Sequence, residues 1–129
     1  MQIAALALAG LIGGATAIFH GIVTHRLMIG PIDRRIADSA GVSMTIRRIV
    51  APLLQYSTYS WLVGGTALVI AANVAGAETR LWISLLVGSM FLYAAVANAW
   101  ATRGRHPGWM LMAAAVSLIV VDIFAGPGA

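Results

Sequence analysis

Apolar residues gather into four long runs, and nearly all of the charged residues fall between them. The runs cover Ile3–Val23, Ile49–Ala75, Leu81–Ala101 and Trp109–Phe124. A helix that crosses a bilayer core of about 30 Å needs roughly 20 such residues, a length the last run only just approaches. The pattern therefore predicts four transmembrane helices, over about residues 2–27, 44–75, 79–102 and 107–124. The last two connections are short, which makes the helices they join antiparallel neighbours. The expected fold is all-α: an integral membrane four-helix bundle forming one domain over residues 1–129.

The first connection, about residues 24–48, is the one long enough to hold structure of its own. Gly30-Pro31 reads as a stop followed by a restart, because glycine ends helices well and proline suits a first helical turn. Pro31–Ser39 is expected to form a short interfacial helix between helices 1 and 2, ended by Gly41. Ser43 is the expected N-cap of the second span. Pro52 falls inside that span as a candidate kink, and Pro107 suits the opening of the fourth.

Small residues follow helical spacing. In the first run Gly10, Gly13, Gly14, Ala17, His20, Gly21 and Thr24 share one stripe, while Leu8, Leu11, Ile12, Ile18, Phe19 and Ile22 lie opposite. Lipid tails are as apolar as leucine, so helix association in a bilayer favours small residues that allow close approach. The glycine stripe is thus expected to face protein, with Gly10-xxx-Gly14 packing another helix or a second copy. Ser57, Ser60, Gly64, Ala67 and Ala71 form a similar line in the second span. Ser84, Gly88, Ala95 and Ala99 do so in the third, and Ala113 and Ser117 in the fourth.

Composition agrees with a membrane setting. The 129 residues are 60% hydrophobic and 9% charged, with a mean hydropathy of +0.91, too few charges to wet the surface of a soluble domain of this size. All eight basic residues are arginine and there is no cysteine, which removes disulfides, thiolate metal sites and cysteine nucleophiles. Arg26, Arg34, Arg35, Arg47 and Arg48 fall in the first connection and Arg103 and Arg105 in the third, against Arg80 alone in the second. Cytoplasmic loops concentrate basic residues, so the first and third connections are expected in the cytoplasm and both termini outside. Met1-Gln2 offers no positive n-region, so the first run reads as a retained helix rather than a signal peptide. Arg34, Arg35, Arg47 and Arg48 are candidates to meet anionic headgroups or to dock a partner. No basic surface interleaved with aromatics points to nucleic acid. The arginine-only basic set and abundant alanine fit a bacterial inner membrane protein.

Candidate chemistry comes from matching depths. His20 lies six residues before Arg26, roughly 9 Å inside the boundary at 1.5 Å per residue. Gln55 and Tyr56 after Arg48, and Asn98 before Arg103, reach similar levels, with Tyr59 and Tyr93 somewhat deeper. His20, Gln55, Tyr56, Tyr59 and Asn98 are therefore expected to converge. They form either a hydrogen-bond network that fixes helix register or a small site for a ligand, a quinone headgroup, haem or a proton. His20 and His25 point to different faces and His106 is shallower than His20, so a matched haem-ligand pair is lacking. No HExxH or comparable pattern supports a metal site, and no catalytic set is evident. Asp122 is expected at the outer level with Asn73 and Arg80, as an interfacial carboxylate that can pair with Arg80 or, alternatively, as a proton-coupled site. Trp82, Trp100 and Trp109 lie near span ends, where aromatic belts form; Trp61 is deeper.

These features resemble a group of small bacterial four-span inner-membrane proteins. The likeness rests on the late histidine of span 1, the Ile29–Arg35 loop with Pro31 and the Arg34-Arg35 pair, Arg47-Arg48 opening span 2, and Arg105-His106-Pro107-Gly108-Trp109 opening span 4. Members of that group tend to carry histidine where this chain has Gln55. The layout is also faintly similar to the copper-resistance CopD-like membrane domains, without their ligand clusters. The function expected is that of a non-catalytic accessory or scaffold subunit, partnered by the bilayer and by other membrane subunits or its own copies. The alternatives are a small oligomeric transporter or channel and a haem- or quinone-binding anchor. The first span lacks the glutamate of small four-helix multidrug–proton exchangers.

Overall fold

The computed structural model describes residues 2–37 and 41–125. They form helices α1 (Gln2–Thr24), α2 (Gly30–Ala37), α3 (Met44–Val74), α4 (Ala77–Ala101) and α5 (Gly108–Phe124), with no strand among the described residues. α1 lies against α3 on one side and α5 on the other, and α4 closes the square between α5 and α3. α3 and α4 are the least closely packed of these neighbours.

Two stretches are both long and apolar enough to cross a membrane: Ile3–Ile36 and Ala77–Ala101, with hydropathies of 1.9 and 1.7. α3 has the length, at 31 residues, but its apolar pattern is diluted by the Gln55–Ser60 run. α5 has the apolarity, but its 17 residues rise only about 26 Å. Among the described residues, with α1 and α2 joined into one continuous helical stretch, four long helices are thus present where four were expected, and two of them meet both criteria.

The first connection departs from expectation. Gly30-Pro31 does not stop the helix: a π-helical turn over His25–Ile29 carries α1 into α2. Gly30 is at φ −57°, ψ −47°, an ordinary helical conformation, and its N–H bonds the carbonyl of His25 five residues back. Proline offers no N–H, and its ring crowds the carbonyl four residues earlier. A wider turn just before Pro31 relieves that crowding. The expected interfacial helix is therefore an extension of α1 rather than a separate element; its final residues, Asp38 and Ser39, lie outside the described residues. Ser43 does cap α3, its Oγ accepting from the N–H of Ile46 at 3.4 Å. α3 runs through Pro52, and Pro107 opens α5 by accepting from Met110 at 3.0 Å.

The turn from α4 to α5 is a Schellman motif. Gly104 donates to Ala99 at 2.8 Å and Arg103 to Trp100 at 3.2 Å. Arg103 takes the left-handed position, φ 50°, that glycine usually fills at a helix end.

The core is built around the glycines of α1. A Cβ on Gly10 would come within 2.5 Å of the Gly65 carbonyl, and one on Gly65 within 2.6 Å of the Gly10 carbonyl. The α1 and α3 backbones therefore touch. Gly13 makes room for the Phe91 ring, which reaches in from α4 and is fully buried with Leu6, Leu68 and Met112. Ala17 is buried and Gly21 abuts Thr58 and Gln55. Gly14 is different, since a Cβ there would meet only Leu62, at 4.0 Å. Leu8, Leu11, Ile18, Phe19 and Ile22 are exposed, as placed by their stripe, but Ile12 packs partly against the core. In α5 the packing face is Met112, Ala115, Ile119 and Asp122 rather than the Ala113–Ser117 line; Ser117 faces outward, bonded to its own helix.

This geometry separates the two glycines of the Gly10-xxx-Gly14 pair. Gly10→Ala and Gly65→Ala should each destabilise the bundle by about 1–3 kcal/mol through overpacking, whereas Gly14→Ala should be neutral or slightly stabilising. Reversible unfolding in mixed detergent micelles measures all three; equal losses at Gly10 and Gly14 would contradict the α1–α3 contact.

Candidate functional site

His20 sits on the protein-facing stripe of α1, half-buried. Its Nε2 is 3.2 Å from the Ser57 hydroxyl of α3 and 3.2 Å from the hydroxyl of Thr24, one turn along α1. Its ring packs on Trp61, with centroids 4.6 Å apart and planes tilted by 49°. Gln55 reaches α1 as well, donating to the Gly21 carbonyl at 3.1 Å. The glycine stripe makes both links feasible, because only closely approaching backbones let such side chains span the gap.

Of the five residues expected to converge, His20 and Asn98 line one small cavity, and Gln55 bonds α1 at Gly21, the residue after His20. Asn98 donates to Ala94 of its own helix at 2.9 Å and lines a small cavity shared with Thr16, His20, Trp61 and His106. Tyr56 and Tyr59 do not join them. They are 68% and 66% exposed, because their positions on α3 rotate them away from the Ser57–Gly64 face that meets the bundle. Tyr93 is also turned outward, at 77%.

Ser57, Thr24, Trp61 and His106 surround His20 and lie outside the expected set. Thr24 was legible from its spacing, four residues from His20 on one helical face. Trp61 was legible as an aromatic too deep for an interfacial belt. His106 was not, since the α4–α5 turn folds it back: its Nδ1 accepts from the Gly108 N–H at 3.1 Å, and Trp109 secures the same turn by donating to Gly104 at 3.1 Å. His20 and His106 thus face one cavity, but its free volume is about 10 Å³, roughly that of one water probe. A haem macrocycle does not fit between these two imidazoles as the helices are packed.

A larger space opens laterally between α3 and α4, as a groove of about 460 Å³. α3 supplies Tyr56, Ser57, Ser60 and Trp61; α4 supplies Ser89, Met90 and Tyr93. Ser57 belongs to both places, lining the groove and bonding His20 behind it. The hydroxyls of Tyr56, Ser60 and Tyr93 have no hydrogen-bond partner among the described residues, whereas Ser89 bonds Leu86 of its own helix at 2.7 Å.

At the other end of the bundle Arg80 and Asp122 form an ion pair of 2.7 Å between α4 and α5, their side chains 18% and 5% exposed. Asn73, expected at the same level, is exposed and bonded to Val69 instead. The Arg80 Nε and the Ser84 hydroxyl, one turn apart, are buried without a partner. Arg34, Arg35 and Arg48 are exposed and Arg47 is half-buried. No group of three or more histidine, aspartate or glutamate residues is placed to hold a metal ion among the described residues.

Removing one member of the buried pair strands the other. Asp122→Ala should cost about 3–5 kcal/mol, while the double change Arg80→Leu with Asp122→Leu should recover most of the loss. The unfolding midpoints of the single and double variants test this; a double variant no better than Asp122→Ala would mean that the charges hold the end of the bundle in some other way. Comparison with protein-family models, with curated proteins and with solved structures gave no match.

Proposed function

We propose that the chain is a multi-pass protein of the bacterial inner membrane, serving as a non-catalytic accessory or scaffold subunit of a larger membrane complex. The membrane part rests on where the apolar surface lies. Leu11, Leu53, Leu86, Val96 and Met110 are among many large apolar side chains on the outer faces of α1, α3, α4 and α5. Water around such a surface would drive aggregation, and lipid would not. The arginine distribution sets the orientation, with the α2–α3 and α4–α5 connections cytoplasmic and both termini outside.

The observation that carries the subunit reading is the filled interior. Phe91, Leu6, Leu68 and Met112 close the centre of the bundle, and the cavity at His20 holds about 10 Å³. Among the described residues these side chains leave no conduit through the centre of a single copy, which favours a packing role over the transporter or channel alternative. What remains for interaction is the outer surface, including the outward tyrosines of α3 and α4.

Native purification in mild detergent, with mass spectrometry of the isolated peak, is the direct test. A stoichiometric complex with a larger membrane protein is the expected result; a homogeneous homo-oligomer would overturn the subunit reading and favour transport. Orientation is checked separately, since the chain has no cysteine of its own. Gly41→Cys and Gly76→Cys occupy open positions. An impermeant maleimide should label Gly76→Cys in intact cells and Gly41→Cys only after permeabilisation, and alkaline carbonate should leave both proteins in the membrane pellet.

A further inference from the structure

We propose that the lateral groove between α3 and α4 binds the headgroup of a membrane-soluble quinone. The inference rests on reading the chain as a membrane-spanning bundle, and it is independent of whether the chain is a subunit. The groove volume of about 460 Å³ lies within the range of small-molecule sites, roughly 300–1,000 Å³. It opens on a face that carries exposed apolar side chains, so a ligand would enter sideways from the hydrocarbon.

The lining selects the chemistry. No charged residue borders the groove, so a phosphate or carboxylate would find no counter-ion there. Three hydroxyls without a partner, on Tyr56 and Ser60 of α3 and Tyr93 of α4, stand on both walls as donors. Left in hydrocarbon, each would forfeit a hydrogen bond. A hydrocarbon tail does not satisfy them. A flat, neutral ring bearing carbonyl oxygens on opposite edges does, accepting from both walls while its apolar faces lie against Trp61 and Met90. Its isoprenoid tail would stay in the lipid.

His20 has a place in the same arrangement. Its Nε2 meets the hydroxyl of Ser57, which lines the groove, and Thr24 and Trp61 hold the ring. His20 is therefore a positioning residue for the Ser57 hydroxyl, and it connects the groove to the cavity shared with His106.

The test uses the full chain in phosphatidylcholine nanodiscs, titrated calorimetrically with decylubiquinone against empty nanodiscs. Saturable binding of one quinone per chain is expected. Ser60→Leu, which fills the groove, should weaken it by about tenfold or more, and Tyr56→Phe with Tyr93→Phe by several-fold. The tyrosine changes remove only outward hydroxyls, so helical content and melting should not move. Decylbenzene, which lacks the carbonyls, should not compete. Heat that only tracks partitioning into lipid would overturn the proposal, as would equal competition by decylbenzene or unchanged binding in both variants. Failure of membrane integration is read independently from the carbonate extraction, so the two outcomes are distinguishable.

Discussion

The contact between the backbones of Gly10 and Gly65 sets the rest of the molecule. As α1 advances α3 recedes: Gly10 meets Gly65, Gly14 meets Leu62, and Gly21 meets Thr58 and Gln55. A side chain at the first of these crossings would push the helices apart along their whole shared length. With the backbones touching, His20 arrives beside Ser57 and Trp61, and Gln55 reaches the carbonyl of Gly21. The polar contacts are thus a consequence of the glycine packing. A hydrogen bond between the same side chains across a leucine-spaced interface, with axes nearer 10 Å apart, would not span the gap.

The polar side chains divide into two kinds. Thr16, Thr66, Asn73, Asn98, Thr102 and Ser117 each donate to the carbonyl four residues back on their own helix. Bonds of that kind satisfy a hydroxyl or amide in an apolar setting without specifying a neighbour. Only a few links cross between helices. His20–Ser57 and Gln55–Gly21 join α1 to α3, and Arg80–Asp122 joins α4 to α5 at the opposite end. One set fixes the register of the first helix pair and the other that of the last, while Phe91 ties the two pairs together through the gap at Gly13. Register is specified where an incorrect pairing would leave a buried polar group alone, which is where specificity is strongest.

Level along the helices was legible in the sequence, and rotation only in part. Counting residues from the flanking arginines placed His20, Gln55 and Asn98 at one level, and placed Arg80 with Asp122, because rise per residue is nearly constant. The same count wrongly turned Tyr56 and Tyr59 inward. The correction was available in the line Ser57, Ser60, Gly64: if that face meets the bundle, Tyr56 and Tyr59, each one residue before a serine of the line, are both turned off it by about 100° in the same direction. His106, read as shallower than His20, shares its cavity through the Schellman turn, which depends on an arginine in the left-handed position that residue type disfavours. Gly30-Pro31 misled for the opposite reason. The pair carries the usual punctuation of a helix end, but a π-helical turn, which itself buries Ile29, accommodates the proline without breaking the helix.

The loosest seam in the bundle also follows from residue size. α3 and α4 are joined by the two residues Ala75 and Gly76, which holds them together at one end. Farther along, Gly64 admits Val87 and Phe91, and the seam is closed. Beyond that point the facing positions are Ser57, Ser60 and Ser89, side chains too short to meet across the same separation, and the long Tyr56 and Tyr93 swing to the rim. Leucine at any of the three serines would fill the space with little change to the backbone. The groove is therefore written in the choice of serine over leucine at three positions. At Ser57 that choice serves the link to His20, and at Ser89 the hydroxyl bonds its own helix. At Ser60, whose hydroxyl has no partner among the described residues, it sacrifices apolar contact between two helices, and a ligand that uses this hydroxyl gives Ser60 a reason that helix association alone does not.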